Sequence, residues 1–264
     1  MKDDVRASFG PVADRYARSL FHADPERLDE VLELAQPRAG EVALDVATGT
    51  GNTALALAPH VGSVVGLDLT PQMLAEAGRQ AEARGLANAR WVRGDACRLP
   101  FGEATFDLYA VRAAPHHFHD LHAALAEAVR VLRPGGRACF VDCSPPEAAR
   151  DHLHGVETGR DPSHVRSLTL EEWTSRLEAA GLAVEAARRR ELDWDFEAWM
   201  GNMAVPQERS ERLAELVEAA RGAARDQLRP ERRQGRLYHR YWHALIRARR
   251  PAAVPAAGLR GRRT

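Results

Sequence analysis

The sequence predicts an α/β fold with a doubly wound parallel sheet, and two patterns support this class. Between residues 42 and 142, segments rich in β-branched and apolar residues alternate with segments of helical spacing. Three acidic residues, Asp45, Asp68 and Asp95, stand at or beside the ends of the first three strand segments. Because parallel strands end at one edge of a sheet, this pattern indicates a ligand-binding edge.

Helices and strands follow each other in a regular order through the first half of the chain. Two helices are predicted before the first strand, over residues 3–20 and 24–36, the second beginning after Asp24. Further helices are predicted at 54–58, 71–84 and 121–132. The predicted strands are 42–46, 63–69, 89–94, 106–112 and 138–142.

The second half of the chain is less regular. Residues 145–168, which contain two consecutive prolines and Asp161-Pro162, predict an irregular cap. Thr169 and Glu172 form a Thr-x-x-Glu capping box that opens a helix ending at Gly181. After it we expect a strand at 182–192, helices at 196–201 and 206–228, and a last strand at 237–246.

Composition excludes several classes of partner. The 264 residues carry 37 basic and 37 acidic side chains, and this balance argues against a nucleic-acid partner. Apolar runs are too short for a membrane span, and the N-terminus does not begin a signal peptide. The three cysteines form no disulfide framework, which is typical of a reduced, cytoplasmic protein. We therefore expect a small-molecule partner and a cytoplasmic monomer or homodimer.

The residues from Val42 to Thr53 predict a buried strand, a glycine turn and the start of a helix. Gly49 and Gly51 lack a Cβ atom, so a ligand can lie against the backbone. Asn52 and Thr53 are predicted to cap the helix, whose first N–H groups point at the turn. This arrangement predicts a nucleoside-sized pocket. The same residues also satisfy the dinucleotide pattern Gly-x-Gly-x-x-Ala, so this stretch alone leaves the cofactor open.

The three acidic residues favour one kind of cofactor. Asp68 follows Gly51 at a distance along the chain where an acid accepts both ribose hydroxyls, and Asp95 can accept the exocyclic amine of an adenine. Asp45 would repel a phosphate but attract an amino group. Together they favour adenosine with a cationic tail over a dinucleotide. Each acid taken alone can also be interpreted as the cap of a turn.

Several motifs within residues 40–142 resemble one enzyme family. They are Val42–Gly51, Val65–Leu74, Gly94-Asp95-Ala96 with Leu99-Pro100-Phe101, Phe106-Asp107, and Arg130–Gly136. In these motifs the chain resembles class I S-adenosylmethionine-dependent methyltransferases, and within them the small-molecule branch that includes the ubiquinone/menaquinone C-methyltransferases. The resemblance implies a Rossmann-like, doubly wound seven-stranded sheet with a reversed last strand, N-terminal helices and a helical lid insertion.

The resemblance also implies which residues bind the cofactor, S-adenosyl-L-methionine. Phe9, Ala13, Tyr16 and the segment 160–166 are similar to that branch as well, and Arg112 would lie near the methionine end. The candidate cofactor-binding residues are Tyr16, Asp45, Thr48, Gly49, Gly51, Asp68, Leu69, Met73, Asp95, Ala96 and Arg112.

We expect a single methyltransferase domain over residues 1–250. Its predicted parts are an N-terminal helical cover (1–39), a cofactor-binding core (40–143), a cap (144–168) and a helical lid (194–235), followed by a disordered tail (251–264).

The histidine-rich loop after the fourth strand, Ala113–Asp120, is expected at the mouth of the pocket. A methyl acceptor must become a nucleophile, and a histidine that titrates near neutral pH is a suitable general base. His116 and His117 are therefore candidate catalytic residues, although the pair could instead brace the loop while Asp120 caps the next helix. The spacing of His116, His117 and His119 fits no usual metal-ligand pattern, so no metal is predicted.

Candidate substrate residues lie in the cap, the following helix and the lid. They are His164, Trp173 and Trp199, and for the tryptophans ordinary packing is the alternative. No Asn/Asp-Pro-Pro-aromatic sequence follows the fourth strand, which disfavours an amino group of a nucleobase or a protein as the acceptor.

The sequence thus predicts methyl transfer to carbon or oxygen of a small, largely apolar acceptor that is quinone-, aromatic- or polyketide-like. Two alternatives are a methyltransferase-like fold that acts as a cyclase or binding protein, and a nicotinamide oxidoreductase.

Overall fold

A mixed sheet forms the centre of the structure, a computed structural model that describes residues 2–12 and 23–252. The candidate residue Tyr16 and the tail from residue 253 onwards lie outside the described residues. The strands are β1 (Val42–Val46), β2 (Ser63–Asp68), β3 (Ala89–Arg93), β4 (Phe106–Arg112), β5 (Leu132–Cys143), β6 (Ala183–Asp195), β7 (Glu231–Arg233) and β8 (Arg236–Arg249).

The strand order confirms the predicted topology. Along the sheet the order is β3-β2-β1-β4-β5-β8-β6, with β7 paired to β8. The first five strands in this order are parallel, and β8 is antiparallel to both of its neighbours, β5 and β6. The short strand β7 was not predicted, because its three exposed charged residues carry no apolar alternation.

Helices pack on both faces of the sheet. They are α1 (Lys2–Phe9), α2 (Pro25–Ala35), α3 (Asn52–Leu57), α4 (Pro71–Ala83), α5 (Leu121–Val131), α6 (Glu147–Arg160), α7 (Leu170–Ala179), α8 (Phe196–Asn202), α9 (Gln207–Glu218) and α10 (Gly222–Leu228). Among the described residues, no helix combines the length and the apolar character that a membrane crossing requires.

Local signals explain where several helices begin. The Asp24 carboxylate accepts the N–H of Glu26 at 3.1 Å, and Asp120 accepts the N–H of Ala123 at 2.9 Å, so both side chains cap the helices that follow them. The predicted capping box of Thr169 is confirmed by both of its reciprocal hydrogen bonds.

The first predicted helix, over residues 3–20, is interrupted after Phe9. Helix α1 ends at Phe9, and a 3₁₀ turn follows over Gly10–Val12. Pro11 disfavours the helical conformation for the residue before it, and this accounts for the early end. The rest of the predicted helix, from residue 13 to residue 20, lies outside the described residues.

The prediction of an irregular cap over 145–168 was wrong for residues 147–160. Residues Glu147–Arg160 form helix α6, with Pro146 at its N-cap position. A proline just before the first helical turn costs no hydrogen bond, because the first N–H groups of a helix have no partner within it. The helix ends before Asp161-Pro162, again because of the restriction that proline places on its predecessor.

A separate apolar cluster joins the cap to the lid helices. Leu153 and Val156 of α6 pack in it together with Val217 of α9 and Leu228 of α10. The aromatic rings of β6, α8 and β8 belong to the same cluster. This packing holds α6 beside Cys143 at the end of β5.

Candidate active site

The turn after β1 is organised around the buried carboxylate of Asp45. Its Oδ2 accepts the hydroxyl of Thr48 at 2.6 Å and the N–H of Ala54, in the first turn of α3, at 3.1 Å. The predicted capping role of Asn52 and Thr53 was therefore wrong. The Asn52 amide donates to Thr50, and the Thr53 hydroxyl accepts Nε of Arg112 at 3.0 Å.

The two glycines of this turn have different roles. Both adopt positive φ, +54° at Gly49 and +85° at Gly51. A Cβ at Gly49 would meet no atom within 4 Å, whereas one at Gly51 would lie 2.8 Å from the ring of Trp91. Gly51 is thus required by its packing against β3 and does not line the site, contrary to the prediction for this residue. Gly49 leaves the backbone exposed to the site.

Asp68 ends β2 and is held by the backbone. Its Oδ2 accepts the N–H of Gly49 at 2.9 Å, and its Oδ1 accepts that of Thr70 at 2.8 Å. Burial raises the pKa of this carboxyl group, against these hydrogen bonds. Each carboxylate oxygen can accept more than one hydrogen bond, so Asp68 can also accept donors from a ligand.

The ends of β1 to β4 surround a first cavity of about 1060 Å³. Val5 and Phe9 of α1 cover part of it. The sequence-predicted cofactor residues that line it are Asp45, Thr48, Gly49, Asp68, Leu69, Met73, Asp95, Ala96 and Arg112. Further lining residues that sequence reasoning did not select include Thr53, Cys97, Phe118 and His119.

One wall of the first cavity carries a buried pair of opposite charges. Burial raises the pKa of Asp45 to about 7, against the opposing effects of Thr48 and Arg112. Burial lowers the pKa of Arg112, against the effect of Asp45. The carboxylate is therefore stabilised by any additional positive group that enters beside it.

A second cavity of about 450 Å³ adjoins the first. Ala113 and His117 line both cavities, so the two meet at the loop after β4. The aromatic walls of the second cavity include Trp194 and Tyr241, whose rings stack with centroids 4.7 Å apart. Its remaining lining residues are His116, Cys143, Glu157, Arg160, Trp199, Asn202 and His243.

The two neighbouring histidines have opposite electrostatic environments. Their ring centroids lie 4.0 Å apart. Nδ1 of His116 lies 2.6 Å from Oδ1 of Asp142. Burial disfavours a charged ring at His116, but Asp142 and Cys143 hold its pKa well above the ordinary value. Burial and the adjacent His116 lower the pKa of His117 to about 3, against the effect of Asp161. The pair therefore joins a charged ring to a neutral one.

The three candidate substrate residues, His164, Trp173 and Trp199, do not lie together in the structure. Trp199 lines the second cavity. Trp173 lines neither cavity; it is 1% exposed and packs in the core, with its ring 5.9 Å from that of Phe140. His164 is also buried outside both cavities, behind the histidine pair, with its ring 5.2 Å from that of His116. Of the three candidates, only Trp199 lines a cavity.

The structure brings together a set of potential metal ligands that is not the set His116, His117 and His119 considered from the sequence. Within the described residues, His116, Asp142 and Cys143 bring ligand atoms within 4.8 Å of one another. Sγ of Cys143 lies 2.9 Å from Oγ of Ser167, and the contact between His116 and Asp142 has hydrogen-bond length. These contacts describe a hydrogen-bonded network. His119 is not part of this group and lies beside Cys97, 3.9 Å from its sulfur.

Comparison with known proteins identifies the family. A family model described as a methyltransferase domain matches residues 43–136. YcgJ, an uncharacterised methyltransferase of Bacillus subtilis (strain 168), is 33% identical over 220 residues, which is 83% of this chain and 87% of YcgJ. The demethylmenaquinone methyltransferase of Thermus thermophilus is 42% identical over 144 residues, covering 52% of this chain and 65% of that protein.

Solved structures agree with this result. The crystal structure of YcgJ superposes with a TM-score of 0.81 at 31% identity, over 86% of this chain and 98% of YcgJ. The BH2331 protein of Bacillus halodurans C-125 superposes with a TM-score of 0.80 at 33% identity, over 86% of this chain and all of that chain (100%). The family match thus favours methyl transfer over the nicotinamide oxidoreductase considered from the sequence.

The residues of the first cavity fit S-adenosylmethionine. The open backbone at Gly49 leaves room for a nucleoside, and Asp68 has acceptor capacity for ribose hydroxyls. Asp45 is a buried carboxylate that an ammonium group would stabilise. The chain belongs to the class I S-adenosylmethionine-dependent methyltransferase family.

Proposed function

We infer that this methyltransferase acts on carbon or oxygen of a small, largely apolar acceptor, and that the acceptor binds in the second cavity. The observation that carries this proposal is the meeting of the two cavities at Ala113 and His117. Methyl transfer requires the acceptor atom to lie about 3–3.5 Å from the methyl carbon, so donor and acceptor sites must share a boundary.

On the cofactor side, the proposal gives each acidic residue one partner. Asp68 accepts the ribose hydroxyls, Asp95 accepts the amine of the adenine, and Asp45 attracts the ammonium group of the methionine part. Leu69, Met73 and Ala96 supply apolar contacts for the adenosine. When bound, the cofactor supplies an electrophilic methyl group carried on a positively charged sulfur.

On the acceptor side, the rings of Trp194, Trp199 and Tyr241 support a planar or apolar acceptor. Aromatic walls favour flat, unsaturated molecules, because stacked and edge-to-face contacts stabilise ring pairs beyond simple burial. Quinone-, aromatic- and polyketide-like acceptors share this shape. The name of the Thermus thermophilus relative, demethylmenaquinone methyltransferase, also supports a quinone-like acceptor.

His116 and His117 are the proposed catalytic residues. Both line the second cavity, and His117 also reaches the first. A neutral imidazole can accept a proton from the acceptor, and a charged one can stabilise negative charge that develops on it.

Two measurements test the proposed function. S-adenosylhomocysteine should bind with a micromolar Kd in a calorimetric titration, while NADH should show no saturable binding. Turnover with methyl-labelled cofactor should then label one of a set of quinol, hydroxyaromatic and polyketide acceptors. A protein that binds the cofactor tightly but labels no acceptor of these classes would support the cyclase or binding-protein alternative instead.

The variant Trp199→Ala tests whether the two cavities bind different molecules. It should raise the KM for the acceptor and leave the Kd of S-adenosylhomocysteine unchanged, because Trp199 lines only the second cavity. Met73→Ala is the matched control, since Met73 is equally apolar and lines only the first cavity. It should weaken cofactor binding. If both variants affected the cofactor alike, the assignment of the acceptor to the second cavity would be wrong.

A further inference from the structure

A chain of hydrogen bonds connects the histidine shared by the two cavities to a buried carboxylate. Nδ1 of His117 lies 3.1 Å from Oγ of Ser163. The same hydroxyl lies 2.7 Å from Oδ1 of Asp161, which also accepts the N–H of Ser163 at 2.9 Å. Asp161 is 1% exposed and Ser163 is 5% exposed, so water does not compete for these contacts.

The direction of the chain follows from the number of protons available. An ionised carboxylate can only accept, and a serine hydroxyl has a single proton to donate. The N–H and the hydroxyl of Ser163 both donate to Asp161, and these hydrogen bonds together with the charge of Arg160 favour the ionised carboxylate, against burial. The Ser163 proton therefore points to Asp161, and the serine oxygen must receive its second hydrogen bond from Nδ1–H of His117. This leaves Nε2 of His117 as the ring nitrogen that carries a lone pair.

We propose that Asp161 and Ser163 are positioning residues that fix His117 as its Nδ1–H tautomer, so that Nε2 of His117 serves as the general base for the acceptor. This inference rests on the proposed function, because it assigns a base to the methyl transfer. The two histidines would then have different roles. His117 receives the proton, and His116, hydrogen-bonded to Asp142, stabilises the negative charge left on the acceptor.

Position distinguishes His117 from His116. Of the two histidines, only His117 lines both cavities, and a base must reach the acceptor where the acceptor meets the methyl group. Nδ1 of His116 is engaged by Asp142 at 2.6 Å, an arrangement that favours the imidazolium form. A ring that already carries its second proton cannot accept another.

The charged groups around His117 keep its lone pair available. His116 and Arg160 disfavour a second positive charge, whereas Asp161, with Oδ2 3.8 Å from Nε2, favours one. His164 faces the ring from 6.3 Å and is itself held neutral, since burial and the neighbouring histidines lower its pKa. Negative charge that develops on the acceptor as its proton leaves would offset the charge of His116 and make Nε2 more basic.

The proposed reaction consists of a proton transfer to His117 and a methyl transfer to the acceptor. The acceptor gives a proton from O–H or C–H to Nε2 of His117, and the imidazolium that forms is stabilised by Asp161. The electron pair left on the acceptor forms the bond to the methyl carbon, while the former carbon–sulfur bonding pair stays on sulfur. His117 then releases its proton to water.

The fold explains why the cap supplies these residues. Helix α6 ends at Arg160, and the chain turns back so that the N–H groups of Val165 and Arg166 donate to the carbonyl of His116 at 2.8 and 3.2 Å. This contact attaches the end of the cap to the loop that carries both histidines. Asp161 and Ser163 lie within the attached segment, so their distance from His117 is fixed by the backbone.

Nitrogen-15 NMR of the full chain, with labelled histidine, tests the tautomer without any knowledge of the acceptor. At neutral pH, His117 should show the pattern of a neutral ring protonated at Nδ1, and His116 that of an imidazolium. Signals are assigned with His116→Gln and His117→Gln. If the His117 ring of the wild-type protein were protonated at Nε2, or charged, the proposal would be overturned.

Variants at Ser163 test whether this residue causes the Nδ1–H tautomer of His117. Ser163→Ala should shift His117 toward the Nε2–H tautomer, and Ser163→Thr, which keeps the hydroxyl, should retain the Nδ1–H form. Ser167→Ala is the matched control, because Ser167 is equally buried and contacts Cys143 and His164 but not His117. It should leave the tautomer of His117 unchanged. An unchanged tautomer in Ser163→Ala would remove Ser163 from the proposal.

Kinetics with the acceptor identified by the labelling experiment provide the functional readout. Ser163→Ala should lower kcat at least about tenfold with little change in KM, because orienting partners contribute to general-base catalysis. Ser163→Thr should restore most of the loss. Equal kcat values for Ser163→Ala and wild type would overturn the positioning role. Failure of S-adenosylhomocysteine to bind would instead contradict the proposed function, whatever the tautomer of His117.

Discussion

Nδ1 of His116 lies 2.6 Å from Oδ1 of Asp142, and both side chains are largely removed from solvent. The contact joins two neighbouring parallel strands, because His116 follows β4 and Asp142 belongs to β5. A carboxylate at this distance in a buried site strongly favours the charged imidazolium. The second cavity thus contains a positively charged ring next to the neutral ring of His117.

Asp142→Asn should lower the pKa of His116, because burial then acts without an opposing carboxylate. A pKa raised in the folded protein stabilises the fold fully below the unfolded value of about 6.5, and this stabilisation is lost as pH rises through the raised pKa. The loss in free energy of unfolding should be largest, roughly 3 kcal/mol, below about pH 6.5. Urea unfolding across pH measures this difference, and a loss that grows with pH would contradict the assignment.

Asp45 should make cofactor affinity depend on pH. Its pKa is raised to about 7, so the carboxyl group is partly protonated near neutral pH and attracts an ammonium group less strongly. In wild type, the affinity for S-adenosylhomocysteine should increase as pH rises through this value. In Asp45→Asn the same range should show no such increase. Calorimetric titrations on both proteins check this, and parallel pH profiles would show that Asp45 does not face the ammonium group.

Asp68→Ala should weaken the binding of S-adenosylhomocysteine by roughly 1–3 kcal/mol, through loss of charge-assisted hydrogen bonds to the ribose. This corresponds to about a fivefold to 140-fold increase in Kd. Asp107→Ala is a suitable control, because Asp107 also accepts a backbone N–H, that of Val42 at 2.9 Å, but does not line the first cavity. An unchanged Kd in Asp68→Ala would contradict the placement of the ribose.

Gly51→Ala should destabilise the protein more than Gly49→Ala. Positive φ at both positions costs an L-residue about 1 kcal/mol. At Gly51 the new Cβ would also lie 2.8 Å from the Trp91 ring, which adds about 1–3 kcal/mol of overpacking. Gly49→Ala should mainly reduce cofactor affinity, since Gly49 lines the first cavity. Thermal unfolding and titration compare the two variants, and the reverse order of stability would contradict these roles.

The lining of the first cavity could be predicted largely from the sequence. Apolar runs that stop beside Asp45, Asp68 and Asp95 mark strand ends, and a parallel sheet brings such ends to one edge. The packing role of Gly51 could not be predicted from the sequence. Its missing side chain makes room for Trp91, a contact between β3 and the turn that depends on strand order.

Most of the lining of the second cavity could not be predicted from the sequence. Two prolines before α6 suggested irregular structure, and no pattern in the sequence placed Glu157, Arg160 or Asp161 beside the histidines. Tyr241 and His243 alternate along β8 and could have been assigned to one face of a strand. That this face meets the histidine loop follows only from the insertion of β8 between β5 and β6.

A crystal structure of the protein with S-adenosylhomocysteine tests the central claim most directly. We expect the adenosine in the first cavity with its ribose on Asp68, the amino group beside Asp45, and the sulfur close to His117 where the two cavities meet. The second cavity should stay free for an acceptor. Adenosine bound in the second cavity, or a sulfur far from His117, would contradict the account.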